Sequence, residues 1–278
     1  MGIVGSMKKG LEIAAKSLLL CLIALIVLFV GYIIVGFILG GTILASKFPP
    51  ITPEMTADQV RALNWSQVNW TVFVPGALLA FLLGFLLNSF TQGGIIATLR
   101  DCIKEGKEKI SGFFGSAFKH CLPLLGQIIL VVTVTVLAII IALVVMSLIA
   151  ATKIVPLVVV VDIIIFAVLL ALLIYIAMIL VYGQISLVLN NMGAIKSLGA
   201  SIQFLKKNLL KAILLFLSAG LIYIVIYVVL QALTGLTAAW PVATKIIWSL
   251  VTSYVYIVVS IFMVGSFISF YLSVAENK

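Results

Sequence analysis

Asp162 is the only carboxylate inside any of the six uncharged stretches of about thirty residues that make up most of this 278-residue chain. An acid in such surroundings is costly to leave charged and unpaired. It therefore reads either as a proton- or cation-coupling group or as a neutral or paired residue holding helices together. Gln231, Lys245 and Tyr227 fall at comparable depth, so Asp162, Gln231 and Lys245 form one candidate intramembrane polar site. Four amides, Asn88, Gln92, Gln127 and Gln184, form a second candidate, the lining of an inner cavity open to water or a ligand. The competing reading of those amides is close packing with interhelical hydrogen bonds. The one histidine, His120, adjoins Cys121 with Cys102 upstream, but this spacing matches no common zinc pattern and lacks a fourth ligand. Neither a metal nor another cofactor is expected. There is no serine nucleophile motif, no phosphate-cradling glycine loop and no paired carboxylate, so no enzyme activity is expected either.

These groups must be positioned by elements that live in lipid. With 64% hydrophobic and 9% charged residues, the chain has too little polar surface for a soluble fold of its length. Its mean hydropathy is +1.38. Long continuous apolar runs exclude a membrane β-barrel, whose strands alternate over about 10 residues. The expectation is an all-α polytopic membrane bundle, a single domain of six transmembrane helices near 17–45, 70–99, 121–151, 155–189, 212–233 and 246–274. The net charge of +9 sits in short segments beside spans, where it meets anionic lipid headgroups; nucleic acid is not an expected partner.

Along the chain, Lys8, Glu12 and Lys16 share one face of a short interfacial helix. The apolar stretch that follows is too long for the core of a signal peptide, so it reads as a retained span. The Gly2 and Ser6 pattern for myristoylation is short, and an acyl chain adds little to six spans. The segment 46–69 carries three of the seven prolines, a Thr56–Gln59 capping box, a Val60 and Leu63 amphipathic run, and glycosylation sequons at Asn64 and Asn69. In span 2, Gly76, Ala80 and Gly84 lie every four residues and continue into Asn88 and Gln92, a small face for helix packing that becomes polar.

Arg100 to Lys119 holds five of the seventeen basic residues and reads as a charged continuation of span 2, ended by Gly112 and followed by Phe113, Phe114 and Phe118. Pro123 and Pro156 stand in first-turn positions of spans 3 and 4. In 190–211, Ile195, Leu198, Ile202 and Leu205 recur at helical spacing, the pattern of a helix in the headgroup layer.

Charge orients the bundle. With both termini inside, 13 basic residues lie in the inner segments, and only Lys47, Arg61, Lys153 and Lys245, 4 in all, lie outside. This places the protein in the cell membrane with cytoplasmic termini. All four tryptophans, Trp65, Trp70, Trp240 and Trp248, then fall at the outer side. Cys102 and Cys121 lie on the inner side, where no structural disulfide is expected.

Spans 2, 4 and 6 finish alike, in Gly93-Gly94-Ile95-Ile96-Ala97, Gly183-Gln184-Ile185-Ser186-Leu187 and Gly265-Ser266-Phe267-Ile268-Ser269. The pattern predicts a unit of inner helix, span out and span back, used three times. Mitochondrial carriers share such an organisation, but their proline–acid–base signature near the ends of odd helices is missing here. The run Gly193-Ala194-Ile195-Lys196-Ser197, Phe204-Leu205-Lys206-Lys207-Asn208-Leu209 and Leu217-Ser218 resembles prokaryotic six-helix proteins related to the glycerophosphoryl diester phosphodiesterase membrane domain. The resemblance implies a membrane domain without the catalytic domain that some members carry. The functional expectation is a membrane domain or complex subunit that binds lipid or another membrane protein. The alternative is a transporter-like protein with a cytoplasm-facing cavity and Asp162 as coupling group.

Overall fold

A computed structural model describes residues 2–47, 56, 67–105, 110–151, 155–237 and 241–275. The helices are α1 (Ile3–Lys16), α2 (Leu18–Ala45), α3 (Trp70–Glu105), α4 (Phe113–Ala150), α5 (Val155–Asn190), α6 (Ala194–Leu236) and α7 (Val242–Ala275). Six of them, α2 to α7, are long and apolar enough to cross a membrane, and the chain is a multi-pass membrane protein with an all-α bundle fold. Gln59, Val60, Arg61, Leu63, Asn64, Trp65, Lys107 to Lys109, Lys153, Trp240 and Lys278 lie outside the described residues.

The helices are longer than the apolar runs that define them. A hydrocarbon core is about 30 Å thick. The 38 residues of α4 extend about 57 Å at about 1.5 Å per residue. The surplus lies at one end of the bundle, hereafter the α1 end. There α4 begins at Phe113 rather than near Cys121, and α6 begins at Ala194, so each carries its inner segment as a continuous part of the span.

Each junction nevertheless carries a local interruption of the helical hydrogen bonding or dihedrals. Ser17 separates α1 from α2 with φ −100° and ψ 35°. Pro123 inside α4 removes the hydrogen bond to the carbonyl four residues back. Asn208 is non-helical within α6 (φ −130°, ψ 22°), and its side-chain amide donates to the Phe204 carbonyl at 3.1 Å. The sharp reversal from α5 into α6 uses Asn191 in the left-handed region (φ 49°), which asparagine tolerates, with the Met192 N–H donating to the Leu187 carbonyl at 3.1 Å. At the opposite end, the Asn69 N–H donates to the Ser46 carbonyl at 2.8 Å and pins the start of α3 to the end of α2.

The main core cluster lies at the α1 end. Leu20, Leu99, Phe113, Tyr182, Leu205, Leu215 and Phe270 are fully enclosed there. Beyond Val131 no residue of α4 is buried, and before Met178 no described residue of α5 is. The far halves of the helices instead turn Leu137, Ile141, Leu148, Ile163, Phe166 and Val228 outward, the surface expected to meet lipid.

Consecutive helices from α2 to α6 pack side by side, whereas α7 is held mainly by α1 and α2 and touches α6 little. The α1–α7 crossing is close because both helices present glycine. A Cβ at Gly10 would lie 2.8 Å from the Phe262 carbonyl oxygen, and one at Gly265 would lie 3.5 Å from the Gly10 Cα. Phe113 occupies the space over Gly94, Ala117 and His120 lie over Gly93, and Gln127 and Leu198 lie over Gly183.

Burial follows one rhythm. Ser6, Gly10, Ile13, Ala14, Ser17, Leu20, Cys21 and Ala24 are buried on α1 and α2; Phe113, Ala117, His120, Cys121, Leu124, Gln127, Ile128 and Val131 are buried at the same intervals on α4. Ser197, Ser201, Leu205, Ala212 and Leu215 continue part of the series on α6. The apolar side of the Ala194–Lys207 segment thus faces protein rather than the headgroup layer: Leu205 is enclosed and the Ser201 hydroxyl donates to the Ile179 carbonyl at 2.9 Å. Only Ile195 stays exposed.

Candidate functional site

Two polar recesses follow one face of α7. The face is drawn by Lys245, Ser249, Thr252, Tyr256 and Ser260, which recur every three or four residues and so stay on one side of a helix.

The deeper recess, of about 200 Å³, lies among α3, α5 and α7 and is lined by Gln92, Gln184 and Ser260 together with Ile96, Val181, Ile185, Met263, Val264 and Phe267. Two of the four amides expected to share a cavity do so. Asn88 does not, being exposed one turn earlier on α3. Gln127 does not either: it is wholly buried on α4 against Gly183, and both polar atoms of its amide lack a hydrogen-bond partner among the described residues. The reason for Asn88 lies in helix geometry. Residues four apart advance about 40° beyond a full turn, so a long every-four stripe winds around the helix. Gly76 meets Thr42 of α2 and Ala80 is buried, Gly84 has open space beside it, and only at Gln92 has the stripe turned toward the centre.

The second recess, of about 350 Å³, lies between the far halves of α6 and α7. Its lining is Gln231 and Thr234 from α6, Thr237 just past its end, and Lys245, Trp248, Ser249, Thr252 and Tyr256 from α7. The Trp248 indole N–H donates to the Thr234 hydroxyl at 2.9 Å and bridges the two helices, while Thr234 itself donates to the Leu230 carbonyl at 2.8 Å. Tyr256 lines the recess and meets Tyr223 and Tyr227 of α6 with ring centroids 6.1 Å and 6.2 Å apart. Gln231 and Lys245 are therefore brought together as the sequence suggests. Asp162 is not among the residues lining this cleft. It sits half-buried on α5 with one carboxylate oxygen enclosed and without a hydrogen-bond partner among the described residues.

No protein-family model, curated protein or solved structure matches the chain. Nothing in these comparisons links it to the glycerophosphoryl diester phosphodiesterase membrane domain that the Gly193–Leu209 run resembles. The sites must be read from their own chemistry.

Three groups named from the sequence occupy other places. Cys121 donates its thiol to the Leu86 carbonyl at 3.5 Å, His120 packs over Gly93, and Cys102 is buried on α3. At the α1 end Asn190, Tyr271 and Ser186 form a small network joining α5 to α7, with the Tyr271 hydroxyl donating to Ser186 at 3.4 Å and the Asn190 amide donating to Tyr271 at 3.4 Å. Sequence reasoning passes over Thr234, Thr252, Tyr256 and Ser260. The spacing of 245, 249, 252, 256 and 260 on α7 and of 227, 231 and 234 on α6 carries that signal.

Proposed function

We propose that the protein is a non-enzymatic lipid-binding domain of the cell membrane, with both termini cytoplasmic and three copies of one inner-helix, span, span unit. The observation that carries the lipid assignment is the division of the bundle into a packed α1 end and loosely packed far halves with clefts between neighbouring helices. One of these, about 250 Å³ between α4 and α5, is lined by Ala138, Ile141, Ala142, Val145, Ile164, Ile165, Val168, Leu169 and Leu172, an apolar slot suited to an acyl chain. The cleft between α6 and α7 offers polar groups suited to a headgroup. The repeat is supported by the shared burial rhythm and by Gly93, Gly183 and Gly265, each of which receives a neighbouring segment at the α1 end. Inside, Lys8, Lys16, Lys196, Lys206 and Lys207 are positioned for anionic headgroups.

Native mass spectrometry of protein extracted gently from its own membrane tests this. The expected spectrum shows one chain with a retained lipid. A second polypeptide at fixed stoichiometry would instead make it a complex subunit.

A transporter is the second reading, favoured by the two recesses following each other along α7. In that case Gln92→Leu with Gln184→Leu abolishes flux of the solute, and Asp162→Asn uncouples it from protons or cations. Flux unaffected by Asp162→Asn would remove the coupling role.

A further inference from the structure

We propose that the cleft between α6 and α7 holds the headgroup of a phospholipid that is both anionic and hydroxylated; this deepens the lipid-binding reading and rests on it. Polar side chains at the lipid-facing surface of a span are costly unless they meet polar matter. Here Gln231, Thr234, Lys245 and Ser249 are exposed along the opening, within the same recess as Thr252 and Tyr256. Among the described residues no carboxylate lines the cleft, so Lys245 leaves it with positive charge suited to a phosphate. The hydroxyls of Thr234, Thr237 and Thr252 already donate to backbone carbonyls and so face the cleft as acceptors, while Ser249 and the Gln231 amide can donate as well, the complement of an alcohol rather than of a bare phosphate. Trp248 and Tyr256 add aromatic faces, the mixture of apolar body and polar tip that suits a headgroup level. The occupant is a membrane lipid rather than a solute because the cleft lies between two membrane-crossing helices that touch little and whose outward faces carry Leu221, Val228, Ile246 and Ile247.

The test places the full-length protein in phosphatidylcholine nanodiscs containing an acyl-brominated lipid. Quenching of Trp248 is read as the difference between the protein and its Trp248→Phe variant. Brominated phosphatidylglycerol or phosphatidylinositol is expected to quench at a mole fraction roughly tenfold below brominated phosphatidylcholine, whose choline offsets the phosphate charge that Lys245 attracts. Lys245→Met, at an exposed position, removes this preference without disturbing the fold. Phosphatidylmethanol carries the same charge without hydroxyls and quenches more weakly than phosphatidylglycerol, a margin that Ser249→Ala with Thr252→Val erases. Equal quenching by all lipids overturns the assignment, as does a preference that survives Lys245→Met. Displacement by soluble glycerol 3-phosphate also overturns it, since the ligand would then be a solute. If lipid still copurifies while the Lys245→Met variant quenches unchanged, the cleft is wrong and the lipid-binding reading stands. If no lipid copurifies with the unaltered protein, that reading falls as well.

Discussion

Gln127 is enclosed with both ends of its amide unpaired, a costly way to fill space between α4 and α5. Replacing it with the similarly shaped apolar Met is expected to raise stability by about 1 kcal/mol or more, read as a higher thermal midpoint in detergent. A fall would mean that the amide has a partner in the membrane. Gly10 behaves oppositely. Its missing Cβ is what lets α1 approach the backbone of α7, so Gly10→Ala should cost roughly 1–3 kcal/mol. Gly40→Ala, with open space beside it, should be neutral or slightly stabilising by up to about 1 kcal/mol, and the pair is compared by thermal unfolding. Sequence spacing placed Gln92 and Gln184 in one cavity but carried Asn88 along with them, because a four-residue interval does not stay on one face of a helix with about 3.6 residues per turn.

At the scale of elements, the apolar runs located every span, and the structure extends several of them. Charge and mild polarity do not end a helix when the next turn can pack on protein, which is why α4 starts at Phe113 and α6 at Ala194. The amphipathic inner segments illustrate the ambiguity of a one-sided apolar face: lipid headgroups and a neighbouring helix satisfy it equally well. For α1 the neighbour is α7, with Ser6, Gly10, Ile13 and Ala14 buried and Lys8, Glu12 and Lys16 exposed. Deleting residues 2–16 is expected to cost on the order of 3 kcal/mol by uncovering α7 near Phe262 and Ser266, with a lower thermal midpoint as the readout. An unchanged midpoint would mean that α1 leaves α7 in the membrane.

For the whole molecule, the placement of basic residues makes a topological prediction. Single cysteines substituted at Lys8 or Lys196 should resist an impermeant maleimide added to intact cells, and one at Lys245 should react; the native Cys21, Cys102 and Cys121 are buried. Labelling at Lys8 and Lys196 with none at Lys245 would reverse the orientation. The sequence by itself determined the solvent and the number of spans, because both depend on a short-range fact: whether about 20 consecutive residues are apolar. Only the tertiary structure decided which polar residues meet. Asp162, Gln231 and Lys245 lie at similar depth, yet only the last two share a cleft, because depth along a helix says nothing of the direction in which a side chain points or of which helix lies beside it. The same limit hid the α1–α7 closure: the contact joins the two ends of the chain, and its glycines acquire meaning only when the helices that carry them are brought face to face.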